Sequence, residues 1–140
     1  LTFSPKISFH GMVGGQKKIS LLNGSKGLIF PVRWHEPFGL AIIESMYFGS
    51  PVFSTPYGAI PELVPEACGK LSNDANELVD AIHVGQYDPH YCHHYVVENF
   101  NAHIMALRYL EKYQQAIRGE LLNMETPYLM RECQNLDWHQ

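Results

Sequence analysis

The stretch Trp34-His35-Glu36-Pro37-Phe38-Gly39-Leu40-Ala41-Ile42-Ile43-Glu44 sets two carboxylates, with seven residues between them, around a glycine that opens a helical pattern. Just before it, Gly27-Leu28-Ile29-Phe30-Pro31-Val32 is a short apolar run of strand character. Just after it, Ser45-Met46-Tyr47-Phe48 carries the helical pattern to a stop at Gly49. The stretch therefore reads as a strand-to-helix crossing. Pro37 is tolerated in a first helical turn, where its missing N–H would have had no partner, and Gly39 lets a ligand approach the backbone closely. Free N–H groups near Phe38, Gly39 and Leu40, with the positive end of the helix dipole behind them, predict a site for an anion such as phosphate.

The neighbours of Glu44 are Leu40, Ala41, Ile42, Ile43, Met46, Tyr47 and Phe48. They leave the helix almost no polar face, so Glu44 is expected to be buried on most sides. A buried carboxylate needs partners, and the hydroxyls of a sugar or a ribose diol would serve. A plainer reading stays open, in which Glu44 reaches solvent at a helix edge and Glu36 only complements the dipole.

Outward from this crossing the chain alternates strand and helix. Ile7-Ser8-Phe9-His10 reads as a strand, Gln16 to Lys26 as a helix, Leu28 to Val32 as a strand, Phe38 to Phe48 as a helix and Pro51 to Ser54 as a strand. Asp74, with Glu77 three residues on, resembles a capping box that opens a helix with Leu78, Ala81 and Ile82 on one face. Such alternation predicts an α/β fold, with parallel strands joined by crossover helices. In such sheets ligands bind beyond the carboxyl ends of the strands, where the segments Gly11-Met12-Val13, Glu36-Pro37-Phe38-Gly39 and Pro56-Tyr57-Gly58 all fall. Further on, 89–100 and 101–118 read as helices. In the second, Ala106, Leu110, Tyr113 and Ile117 form a stripe expected to pack in the core, before a break at Gly119. The tail after it is mixed and only weakly periodic from Met124 to Gln140.

Composition bounds the function. The 140 residues are 46% apolar and 17% charged, ordinary for one globular domain able to bury a core. Ten Lys and Arg against fourteen Asp and Glu give a net charge of −4, which argues against a nucleic-acid partner, so any phosphate must be held locally. No apolar run approaches the roughly 18 residues of a membrane span, and Leu1-Thr2-Phe3-Ser4-Pro5-Lys6 lacks a signal-peptide layout. The expected compartment is the cytosol. Cys68, Cys92 and Cys133 are odd in number and widely spaced, which reads as free thiols. The group His90, Cys92, His93 and His94 suggests a metal only at first glance. Adjacent His93 and His94 point to different helix faces and no carboxylate stands at ligand spacing, so no metal site is assigned.

Glu36 and Glu44, with Phe38-Gly39-Leu40 between them, resemble the E-x7-E signature of retaining glycosyltransferases of the GT-B fold, family four, also called group one. The likeness extends to Gly49-Ser50-Pro51-Val52-Phe53-Ser54-Thr55, to Gly58-Ala59-Ile60-Pro61-Glu62-Leu63-Val64, and upstream to Gly11-Met12-Val13 followed by Lys17 or Lys18 and Leu21-Leu22. Together these segments span roughly residues 7 to 72 in order. Val32 stands where a serine commonly follows the proline in the family, a position near the donor contacts but outside them.

The resemblance implies a Rossmann-like parallel sheet with flanking helices, the C-terminal, donor-binding domain of a two-domain enzyme, with all of 1–140 in that domain and truncated at its N-terminal side. The implied substrate is a nucleotide-diphosphate sugar, with no resident cofactor, and transfer retains the anomeric configuration. Glu36 would be the catalytic carboxylate facing the sugar ring. Glu44 would accept the ribose hydroxyls, Phe38, Gly39 and Leu40 would offer backbone N–H groups, and Met12 and Val13, with Lys18 nearby, would border the base. The acceptor, whether glycan, lipid or small molecule, would be held by an N-terminal domain preceding Leu1, through which the protein could also meet a membrane. The family's basic diphosphate clamp would lie on the opening strand and loop of the donor domain, before Leu1, and the isolated chain is expected to be inactive. No Asp-x-Asp triplet occurs, in line with metal-independent transfer. Two other classes stay open: a GT-B-like sugar-nucleotide epimerase and a non-catalytic nucleotide-binding α/β module.

Overall fold

A computed structural model describes residue 4 and residues 6–123. In chain order the elements are α1 (Gly15–Asn23), β1 (Leu28–Phe30), α2 (Leu40–Tyr47), β2 (Val52–Ser54), α3 (Ile60–Leu63), a 3-10 turn (Glu66–Cys68), β3 (Gly69–Leu71), α4 (Ala75–Val84), α5 (Pro89–Asn99) and α6 (Ala102–Ile117). The three strands form one parallel sheet in the order β1-β2-β3, with Leu28 opposite Val52 and Val52 opposite Gly69. The fold is α/β, a three-stranded parallel sheet flanked by helices, as the alternation predicts.

The middle strand shows why. Val52, Phe53 and Ser54 are all buried, as a parallel strand covered on both faces must be. Its polar members are satisfied: Ser54 Oγ donates to the Phe30 carbonyl at 2.5 Å. Helix α2 crosses from β1 to β2 and lays Ile42 and Met46, one turn apart, on a core with Val32, Val52, Ile60, Leu63 and Val96. Helix α5 packs on α2 and delivers Val96 and Cys92 to the same core.

Several expected elements change. The segment 7–10 is not a strand: Ile7 and Phe9 are exposed and, among the described residues, it pairs with none of the three strands. A strand exists only through a neighbour's ladder, and among the described residues none is formed on this segment. β3 had no signal, since Gly69-Lys70-Leu71 is too short to alternate. Helix α1 stops at Asn23 before Gly24 rather than at Lys26. At α4 the Asp74 carboxylate does cap, accepting from the Asn76 N–H at 2.8 Å, while Glu77 turns to Lys70 at 3.5 Å instead of closing a box. Of its expected face Leu78 is buried and Ile82 is not.

The largest correction concerns α6. Its bounds are as expected, with Asn101 accepting from the Ile104 N–H at 2.9 Å as N-cap. None of its residues is buried, and the stripe of Ala106, Leu110, Tyr113 and Ile117 is exposed rather than core. The tail from Met124 and Cys133 lie outside the described residues. Cys68 and Cys92 are free and buried, and although far apart in sequence they belong to the same core cluster. Burial pushes the Cys68 thiol up to about 12 and also raises Cys92.

Candidate functional site

The loop after β1 and the loop after β2 meet at the carboxyl end of the sheet. Glu36 and Gly58 form an isolated parallel bridge, and the Ala59 N–H donates to the Glu36 carbonyl at 2.8 Å. Only glycine fits at 58: its φ is +67°, and a Cβ there would stand 2.4 Å from the Glu36 backbone. Thr55 Oγ1, fully buried, donates to the Val32 carbonyl at 2.6 Å and pins the start of the same loop. Val32 itself is buried in the core, so the residue that departs from the family's serine packs rather than binds.

Glu36 is half-buried, and its carboxylate accepts from Trp34 Nε1 at 3.0 Å. The loop then turns at Gly39, whose φ of +94° makes it the N-cap of α2. The helix therefore begins at Leu40, two residues later than expected, and Pro37 lies in the loop. A left-handed φ cannot belong to a helix interior, which is why the sequence pattern overran it. The Gly39 carbonyl accepts from the Ile42 N–H at 3.0 Å, and the amides of Leu40 and Ala41 come before the first i→i−4 donor. A Cβ on Gly39 would lie 3.5 Å from Glu36 Cγ, so the Glu36 side chain runs along the bare glycine. The amide cluster and one carboxylate thus share one corner.

Glu44 is not buried on most sides. One turn into α2 it is about 40% exposed and pairs with Lys18 of α1, Nζ to Oε1, at 2.6 Å. This contact joins two segments distant in sequence, each carrying an expected binding residue. Met12 is fully exposed and Val13 half-buried, both just ahead of α1. Among the described residues no group of three or more His, Cys, Asp or Glu could hold a metal ion.

Phe38 and Leu40 also take part in a feature that spacing did not reveal. With Ile43, Phe100, Met105 and Tyr109 they line a cavity of about 580 Å³ between the start of α2 and the α5–α6 corner. Phe38 meets Phe100 edge-on, with ring centroids 6.2 Å apart. Trp34, Thr55 and Gly58 were within the quoted stretches but carried no assigned role; Phe100 stands sixty positions from the loop and had no local signal.

The class is thus an α/β domain that presents an amide-rich helix start and two acidic side chains beyond the carboxyl ends of parallel strands. Residues 2–86, from before α1 to the end of α4, match the family described as Glycosyl transferases group 1, and the chain belongs to it. Sugar transfer in general, from a donor to an acceptor, is the activity that membership carries. No curated protein matches the chain. Among the described residues no helix is long and apolar enough to cross a membrane.

Proposed function

We propose that this chain supplies the C-terminal, donor-binding half of a GT-B glycosyltransferase that transfers a sugar from a nucleoside-diphosphate donor with retention and without a metal. The observation carrying this reading is that Glu36, Gly39 and Glu44 stand on one strand–loop–helix unit, braced by Gly58, within the segment matching the family. The ribose hydroxyls donate to Glu44. The amides at the start of α2 face the diphosphate, where negative charge grows as the anomeric C–O bond breaks, and preorganised N–H donors stabilise it. Glu36, held by Trp34, positions the sugar ring. Met12 and Val13 border the base. An N-terminal domain holds the acceptor, whether glycan, lipid or small molecule, across the cleft, and the opening strand and loop of the donor domain add the basic clamp; the enzyme works in the cytosol, touching the membrane only through the acceptor domain.

The test is calorimetric titration of the chain with UDP, GDP and ADP in the absence of magnesium. Weak binding of at least one is expected, and Glu44→Ala weakens it at least severalfold because the acceptor of two hydroxyl bonds is lost. In the two-domain protein, Glu36→Ala lowers kcat more than it lowers nucleotide affinity. No binding to any of the three at millimolar concentration overturns the reading.

A further inference from the structure

We propose that Lys18 is a positioning residue for Glu44: it holds one carboxylate oxygen so that the other is presented to the ribose, and it does not itself border the base. The inference rests on the donor-site reading above. Four observations support it. The 2.6 Å contact runs from Lys18 Nζ to Oε1 alone, and a carboxylate with one donor keeps about three of its four acceptor directions free, enough for two ribose hydroxyls. Both side chains are about 40% exposed, so the pair contributes little to stability and its effect is to fix geometry. Helix α1 buries none of its residues, yet Lys18 reaches from it to the one acidic side chain of α2. The neighbouring Lys17 is exposed and lies about 100° around the helix, so Lys18 alone meets Glu44.

A glutamate on a helix otherwise samples several side-chain rotamers, and a ligand must select one of them at an entropic cost. Lys18 meets that cost before the nucleotide arrives. The physical signature is specific. Losing Lys18 should reduce the part of the affinity that comes from the ribose hydroxyls, whereas a lysine touching the base or phosphates would contribute equally to a nucleotide without those hydroxyls.

The experiment compares UDP, GDP and ADP with their 2′,3′-dideoxy counterparts, titrated into the parent chain and into Lys18→Met and Lys18→Arg. The ratio of ribose to dideoxy affinity isolates the hydroxyl contribution and cancels long-range charge effects. We expect the parent to favour the ribose form, Lys18→Met to shrink that preference about threefold to fivefold, and Lys18→Arg to restore most of it. Thermal midpoints of the three proteins should agree closely, which removes unfolding as a cause. Equal weakening of both nucleotide forms by Lys18→Met, or no change at all, overturns the positioning role while leaving the donor site standing. A parent chain that binds ribose and dideoxy forms alike, or binds neither, overturns the donor-site reading and the role of Lys18 with it.

Discussion

Helix α2 buries Ile42, Ser45 and Met46 within eight residues, whereas α6 runs for sixteen without burying one. Both carry apolar side chains at helical spacing, Ile42 and Met46 in the first, Leu110, Tyr113 and Ile117 in the second. The difference lies in the connections. α2 is the crossover between two adjacent parallel strands, so the chain must carry it back across the sheet, and its apolar face has no other place to lie. α6 follows the last described strand, β3, and two further helices, α4 and α5, and no later strand among the described residues returns the chain to the sheet. Periodicity therefore tells which face of a helix seeks cover, and topology tells whether the same chain supplies it.

The sharpest way to break this contrast is to empty the core under α2. Met46 is fully buried among Ile42, Val52 and Ile60, and Met46→Ala should destabilise the domain by about 2–5 kcal/mol, from lost transfer energy and the cavity left behind. Urea unfolding followed by circular dichroism measures it. Because Met46 stands two residues beyond Glu44, the same variant should also lose nucleotide binding through loosening of α2. A cost below about 1 kcal/mol would mean that the α2 core is as loosely covered as α6.

A smaller effect tests the same core with protons. The Cys68 thiol, raised by burial to about 12 from an ordinary 9.0, stays protonated in the native state after the unfolded chain has lost its proton. The native state then binds more protons, so stability is complete below about pH 9 and falls as pH rises toward 12. Between pH 9 and 10 this single group should cost about 1 kcal/mol. Cys68→Ala should show a correspondingly flatter decline in thermal midpoint over that interval. Identical slopes for the two proteins would show that the thiol is open to solvent.

How much of this was legible follows the same division. The α2 crossing and the parallel sheet could be read because each rests on local chemistry: an apolar run, a glycine, a helical period. The start of α2 was misplaced by two residues because only the left-handed φ of Gly39, invisible in composition, ends the loop there. Glu44 was expected to be buried because its neighbours in sequence are apolar, and yet several of them, Leu40 and Tyr47 among them, face outward beside it. The Lys18–Glu44 pair and the Glu36–Gly58 bridge join segments twenty or more residues apart. Such contacts follow from how the sheet brings loops together, and no window of sequence contains them.

The smallest expected effect is the most informative about α6. Leu110 and Tyr113 are 54% and 59% exposed, so replacing both with glutamine removes little buried area, and glutamine matches leucine closely in helix propensity. The N-cap at Asn101 and the backbone ladder remain, so the helix itself persists. The double variant L110Q/Y113Q should leave the unfolding free energy of the chain within about 0.5 kcal/mol of the parent, the usual range for surface changes. Far-ultraviolet circular dichroism should be unchanged, and solubility should rise as an exposed apolar stripe is removed. A loss of 2 kcal/mol or more would mean that this face is covered in solution, and that α6, like α2, takes part in a core.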